Sequence, residues 1–405
     1  MNKNMSERLR VEKEVLSVFQ KVNPSTYHLE NQSEFDYRSS LRKRLFQDYL
    51  KFPIRMFKGA KLLDFGCGTG EHAIYYSVFG AKCTLVEMNP DAIQRARDIW
   101  KSYAPANAKY QFINSSYFEV DLPDKYDIVC TEGSIHHTTA KEDAFDKLVS
   151  YLKTGGFVYL NLASKAGFFQ RNLQRMILYK YADSEQDIVK YAMDFFAENI
   201  ERSHQFGHRT KEAIIYDNYV NPKWDCPSVG EIMRWFKKNN LVFYSSWPNI
   251  IPLNFGDSPY TGTFTELMMK EGIAAIPQLF WMCHQQDDNL SSECFYDMTQ
   301  KIESTLEAAL NCVKDVEPSK SIDLDAFSQK FTELKQAATS MKDLYSNEII
   351  LLNCFIEEVL AMLRILKHNG PEKMAEFLKN TRHLFRGTNG LGGTYFIAYK
   401  PEPRR

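Results

Sequence analysis

With 405 residues, 44% of them hydrophobic and 25% charged, the chain exceeds one small core, and one large or two medium domains are expected. A formal net charge of -1 gives no overall electrostatic drive toward nucleic acid or an anionic membrane. The start of the chain is polar and reads as no secretory signal. The longest apolar candidate, residues 349–366, is broken by Asn353, Glu357, Glu358 and Arg364, so no membrane span is expected. The closest pair of the eight cysteines, Cys283 and Cys294, is eleven positions apart. That spacing excludes CxxC and zinc-ribbon motifs; no metal is expected, and the thiols read as reduced in a cytoplasmic protein.

Residues 1–58 read as a helical cap. Val11, Val15, Val18 and Phe19 recur at helical spacing, as do Leu41, Leu45, Tyr49 and Leu50, around a polar and aromatic stretch that includes Tyr27, Tyr37 and Arg38. Next comes the stretch 61–71, with a buried strand at Leu62 and Leu63, then Gly66, Gly68 and Gly70 within five positions, then a helical pattern. Strand, glycine turn and helix in that order make a nucleotide-type site, because glycine permits a sharp turn and a close approach of ligand to main chain. A second strand, 81–87, ends in Glu87, placed where an α/β fold offers a carboxylate to ribose hydroxyls. Asn89 and Pro90 then open a helix over 92–100.

The residues 62–70 together with Glu87 resemble the first motif and the ribose-binding acid of class I S-adenosylmethionine-dependent methyltransferases. A dehydrogenase would carry G-x-G-x-x-G and would lack an acid such as Asp64 ahead of its first glycine. The resemblance implies an α/β fold with a Rossmann-like, seven-stranded core, here with an N-terminal helical cap and a C-terminal all-α insertion. It implies S-adenosyl-L-methionine as cofactor and S-adenosyl-L-homocysteine as product. Asp64, Gly66, Cys67, Gly68 and Gly70 would hold the methionine part, with Tyr37 of the cap reaching toward it. Glu87 and Met88 would lie at the ribose, Ser115 and Ser116 after the third strand at the adenine, and Glu132 at the end of the fourth strand.

Past that strand, His136, His137 and Thr138 resemble the loop of the ubiquinone-biosynthesis-like branch of these enzymes. A histidine here either serves as general base or orients the acceptor, or both histidines simply pack. A helix over 141–152, ended by Gly155 and Gly156, leads to a fifth strand, 157–162. Residues 164–227 read as a lid: two helices over 168–196 and an aromatic loop in which Tyr216, Asp217, Tyr219 and Trp224 offer rings and one carboxylate to an acceptor. Ser228 and Glu231 form a capping box for a helix over 229–239, and a sixth strand covers 241–247. No partner strand follows until 393–400, so 256–385, with helical periodicity throughout, reads as an inserted helical bundle and 386–405 as the last core strand. The methyltransferase core then spans 59–255.

The expected function is transfer of a methyl group to an O or N nucleophile of a small molecule, a sugar or secondary metabolite. The rival readings are a tRNA or other nucleic-acid methyltransferase, opposed by the neutral charge, and a scaffold that presents the helical bundle to a partner. Homodimerisation, a lid or partner docking are the roles open to the bundle. No nucleic-acid or membrane partner is expected.

Overall fold

The computed structural model describes residues 3–22, 27–250, 292–314, 321–340, 346–386 and 393–402. Helix α1 (Lys3–Lys21) precedes α2 (Gln32–Arg44), whose first turn is capped by the Asn31 side chain accepting from the Glu34 N–H at 2.9 Å. Strands and helices then alternate: β1 (Lys61–Phe65), α3 (Ile74–Val78), β2 (Lys82–Glu87), α4 (Pro90–Tyr103), β3 (Lys109–Asn114), β4 (Tyr126–Glu132), α5 (Lys141–Ser150) and β5 (Leu152–Ala163). Next come α6 (Phe169–Tyr181), α7 (Glu185–Gly207), α8 (Lys211–Ile215), α9 (Val229–Lys238) and β6 (Val242–Trp247). Four helices, α10 (Ser292–Lys314), α11 (Leu324–Thr339), α12 (Ser346–His368) and α13 (Pro371–Asn380), lead to β7 (Gly393–Tyr399).

The seven strands make one sheet in the order β3-β2-β1-β4-β5-β7-β6. The first five are mutually parallel, and β7 runs antiparallel between β5 and β6. The last strand in sequence is therefore an inner strand of the sheet. Its residues alternate between the two faces, as the pleat requires. Phe396 and Ala398 join Leu63, Val129 and Leu160 beneath α5 and α9, whereas Ile397 joins Leu62, Ile128 and Tyr159 beneath α3 and the aromatic stretch around Phe46 and Phe57.

Helices α10–α13 have no core to themselves. Their buried residues, among them Leu306, Phe331, Phe355, Val359 and Met374, form one cluster with Leu173 and Met176 of α6, Phe196 and Ile200 of α7, and Ile214. The segment 164–220 is thus packed on the later helices. The part of the expected bundle before residue 292 lies outside the described residues.

Several boundaries differ from expectation; α7, for one, runs to Gly207 where the lid helices were expected to end at 196. Helix α5 ends at Ser150, because Leu152 is drawn into the sheet beside Tyr126 and buried with its core. The segment expected as a loop from residue 210 begins with α8, followed by a π-helical turn at Tyr216–Val220. Thr210 caps α8 by accepting from the Ala213 N–H at 3.1 Å, and Ala213, Ile214 and Ile215 are all buried. Local capping and burial outweigh the polar, turn-rich composition around them.

Because β7 supplies hydrogen bonds to both neighbours and Phe396 is fully buried, Phe396→Ala should cost about 3–5 kcal/mol of unfolding free energy. Ending the chain at residue 392 should abolish the cooperative transition. Urea denaturation followed by far-ultraviolet circular dichroism checks both; a truncated chain with an unchanged midpoint would remove β7 from the core.

Candidate functional site

A cavity of about 410 Å³ opens at the carboxyl ends of β1, β2 and β4, within the range of small-ligand sites. Its floor begins with the turn after β1. Gly68, at φ +54, has nothing within 4 Å of where a Cβ would stand, so its backbone faces open space. Gly66 and Cys67 line the cavity beside it. Gly70 does not: a Cβ there would lie 2.7 Å from Trp100 Nε1, which donates to the Gly70 carbonyl at 3.1 Å. Gly70 is needed for packing α4 against the turn.

Glu87 ends the adjacent strand and lines the same cavity. Its Oε2 accepts from the Gly68 N–H at 3.0 Å and its Oε1 from the Asn89 N–H at 2.8 Å. Burial raises its carboxyl above the usual range, opposed by these backbone hydrogen bonds. Met88, Ser116 and Tyr117 continue the wall. Ser115 does not reach the cavity; its hydroxyl donates to the Ser116 carbonyl at 3.0 Å within the turn.

Glu132, at the end of β4, lines the cavity and forms a buried ion pair with Arg42, while Tyr76 donates to the same oxygen. Tyr159 donates to the other at 3.2 Å. Burial alone would raise this carboxyl; Arg42, His72 and the Tyr76 hydroxyl outweigh it and hold it at about 2. Asp64 sits behind the turn, outside the lining, fully buried with Oδ1 unbonded among the described residues. Burial first, and then the nearby Glu132 charge, push its carboxyl well up.

The loop after β4 carries the two histidines, and both line the cavity. They are held differently. His137 Nδ1 lies 2.9 Å from the Lys223 carbonyl and 3.1 Å from Asn221 Nδ2, and Nε2 makes no hydrogen bond to any described residue. His136 is buried with neither ring nitrogen bonded among the described residues, and its ring stacks on Trp224 at 4.8 Å and 15°. Burial lowers both imidazoles; for His136 the neighbouring His137 adds to it, whereas for His137 Asp217 opposes it.

Of the expected acceptor residues, Trp224 and Asp217 line the cavity and the two tyrosines do not. Tyr219 is buried, its hydroxyl bonded to Arg171 and Gln174. Tyr216 turns to Lys21 and Glu185 instead. Tyr37 is likewise corrected: it is 62% exposed, because α2 buries Phe35, Arg38 and Arg42, which puts Tyr37 on the outer face.

Sequence reasoning missed several wall residues. Glu12, Val15, Leu16 and Phe19 form one stripe of α1 that roofs the cavity. The stripe is legible as periodicity, but only the fold reveals what it covers. The roof is held by Asn89 Nδ2 donating to the Phe19 carbonyl at 3.2 Å and by the Arg8 guanidinium 4.4 Å above the Phe118 ring. Phe168 and Arg171, one turn apart at the start of α6, complete the far wall. Among the described residues, one group has metal-compatible geometry: Glu30, Glu34 and His208. In it His208 Nδ1 lies 3.2 Å from Glu30 and 3.6 Å from Glu34.

Comparison with known proteins places this cavity in context. Residues 37–228 match a family model described as a methyltransferase domain. Over 139 residues the chain is 27% identical to the mitochondrial ubiquinone biosynthesis O-methyltransferase of Schizosaccharomyces pombe, covering 34% of this chain and 47% of that one. Over 199 residues it is 22% identical to an uncharacterised protein of Synechococcus, covering 45% and 47%. The chain thus spans about half the length of the relatives it matches. Among solved structures, magnesium protoporphyrin IX methyltransferase from Synechocystis PCC 6803 with bound S-adenosylmethionine aligns at 16% identity and TM-score 0.32, covering 41% of this chain and 80% of that one. The N-methyltransferase NodS from Bradyrhizobium japonicum, with S-adenosylhomocysteine, aligns at 17% identity and TM-score 0.29, covering 40% and 74%.

His72 also lines the cavity, and burial, with Arg42 and Arg38 nearby and Glu132 opposing, lowers its imidazole to about 4. A lowered folded-state value means the unfolded chain binds the proton first. The stabilisation is complete above about pH 6.5 and is lost as pH falls toward 4, amounting to roughly 3 kcal/mol. Unfolding free energies between pH 7.5 and 4 should fall along this window, and His72→Asn should remove its share of the fall, leaving the part due to His28, His136 and His137, which burial also lowers. An equally steep decline in that variant would assign it elsewhere.

Proposed function

We propose that this chain, whose residues 37–228 match a methyltransferase-domain model, is an S-adenosylmethionine-dependent enzyme that moves a methyl group onto an O or N nucleophile of a small molecule held against its histidine loop. The carrying observation is that Gly68 and Glu87, from neighbouring strand ends, are hydrogen-bonded to each other and line one cavity. The space above Gly68 suits a close-lying ligand, and the Glu87 carboxylate suits a vicinal diol. Glu87 would hold the ribose hydroxyls, Met88, Ser116 and Tyr117 the adenine, and Gly66 through Gly68 the methionine part. Glu132, already satisfied by Arg42, would orient the strand end. When bound, S-adenosylmethionine supplies an electrophilic methyl carbon on a sulfonium.

The chain's own work is alignment and removal of a proton. The roof of α1 covers one side of the cavity with Val15, Leu16 and Phe19. Of the two histidines, His137 is the base in this reading. Its Nδ1 is fixed by the Lys223 carbonyl, which leaves the Nε2 lone pair to receive the acceptor's proton. Asp217 favours the imidazolium that results. His136, stacked on Trp224 and driven further from protonation by burial, would shape the acceptor pocket. The transferred methyl group replaces that proton on the acceptor.

Glu87→Ala should weaken binding of S-adenosylhomocysteine by about 1.5–3 kcal/mol. Calorimetry on the folded variant measures this directly, and unchanged affinity would remove Glu87 from the ribose. His137→Gln should lower kcat by about 10²–10⁴-fold with cofactor affinity intact. His136→Phe should act mainly on KM for the acceptor; the reverse pattern would exchange the roles.

A further inference from the structure

The stripe of α1 that roofs the cavity is apolar except at one position. Val15, Leu16 and Phe19 offer hydrocarbon, and Glu12 offers a carboxylate. Glu12 Oε1 is buried and without a hydrogen bond among the described residues. Its ion-pair partner is Arg8, whose Nε stands 3.6 Å away, beyond hydrogen-bond reach. The Arg8 guanidinium lies instead 4.4 Å above the Phe118 ring. Burial raises the Glu12 carboxyl above its usual range, with Arg8 opposing. A half-buried acceptor left unbonded at a cavity is costly, and an N–H on an arriving ligand relieves that cost.

The two ends of the stripe say which part of a ligand Glu12 meets. Phe19, seven positions later, touches His137 edge-on at 5.5 Å, so that end of α1 covers the histidine loop. Seven residues of helix rise by roughly 10 Å. The Glu12 end therefore lies away from the histidines, over the turn after β3. There Arg8 rests on Phe118, and the charges of Glu12 and Glu87 both bear on the Tyr117 phenol. The polar side chains of that turn are engaged within the chain. Asn114 Nδ2 donates to the carbonyls of Glu87 and Met88 at 3.0 and 3.1 Å. Ser115 Oγ donates to the Ser116 carbonyl at 3.0 Å, and Ser116 Oγ accepts from the Phe118 N–H at 3.3 Å. Glu12 thus brings from the roof the acceptor that this turn does not offer.

We propose that Glu12 selects the purine of the cofactor, its carboxylate accepting a hydrogen bond from the exocyclic 6-amino group of the adenine. The inference rests on the methyl-transfer reading, which sets the adenine against Met88, Ser116 and Tyr117. A base with an oxo group at the same position would set its lone pairs against those of the carboxylate, so the residue rejects as well as attracts. The roof is then tied to the cofactor at two points. Glu12 meets the base, and Asn89 links the ribose acid to the other end of α1, its N–H on Glu87 Oε1 and its Nδ2 on the Phe19 carbonyl.

The test is calorimetric titration of the full chain by two probes that differ at that one position, S-adenosylhomocysteine and S-inosylhomocysteine. The unaltered chain should bind the adenosyl compound about tenfold or more tightly than the inosyl one. Glu12→Gln should cut that ratio by about tenfold, because an amide donates to a 6-oxo group as readily as it accepts from a 6-amino group. Val15→Ala thins the same roof without touching the polar edge of the base, so it should weaken both ligands alike and keep the ratio. Retained binding of S-inosylhomocysteine by Glu12→Gln certifies the fold of that variant. The proposal is overturned if the unaltered chain binds both compounds equally, if Glu12→Gln keeps the ratio or weakens both ligands alike, or if Val15→Ala collapses the ratio as far as Glu12→Gln does. In each of these cases binding of S-adenosylhomocysteine to the unaltered chain leaves the methyl-transfer reading standing. Failure of S-adenosylhomocysteine to bind the unaltered chain would instead overturn that reading, and this inference with it.

Discussion

The Arg42–Glu132 pair is the constraint on which the site depends. It joins α2, before the sheet, to the end of β4 at its centre, and both partners are almost fully buried. An ion pair removed from water survives only when its remaining hydrogen-bonding capacity is met. Here Tyr76 from α3 and Tyr159 from β5 supply the hydroxyls, so four elements converge on one carboxylate. That convergence fixes where β4 ends and hence where the Gly133–His137 loop begins. It also leaves Glu132 charged in an apolar setting, which in turn disfavours ionisation of Asp64 behind the glycine turn and weakly favours charge on His72.

The cavity is assembled from parts far apart in the chain. The strand ends supply the glycine turn, Glu87 and Glu132. The roof comes from α1, and the opposite wall from the start of α6 and the segment around Trp224. Helices α10–α13 contribute through packing: Phe169, between the wall residues Phe168 and Arg171, meets Phe331 of α11 at 5.6 Å and Phe355 of α12 at 6.0 Å. A close-packed interior transmits position well. The later helices therefore back α6 where it enters the cavity wall. Among the described residues no helix is long and apolar enough to cross a membrane.

Local sequence was informative wherever a residue's role follows from its immediate neighbours. Gly66, Gly68 and Glu87, which the sequence singles out, all line the cavity, because a strand, a tight turn and the next strand end leave little freedom. The capping box of Ser228 and Glu231 was legible for the same reason. Gly70 shows the limit: it shares the motif, yet its neighbour is Trp100, thirty positions on, and no local rule names that contact. Tyr37, Tyr216 and Tyr219 were chosen for their chemistry, and the helix faces they occupy send them elsewhere.

The sequence by itself therefore determined the class of sheet, the glycine turn with its acid, the histidine loop and the return of the chain to the sheet at β7. Each is written in short-range patterns of hydrophobicity, glycine and charge, which act over a turn or a strand. The tertiary structure alone decided which side chains face one another across the cavity: Glu12 and Phe19 above, Phe168 and Arg171 opposite, His136 against Trp224 and His137 on the Lys223 carbonyl. Those pairings depend on packing angles between helices distant in sequence. Two faces of one helix can be equally aromatic, and only the neighbour that buries one of them determines which rings meet a ligand.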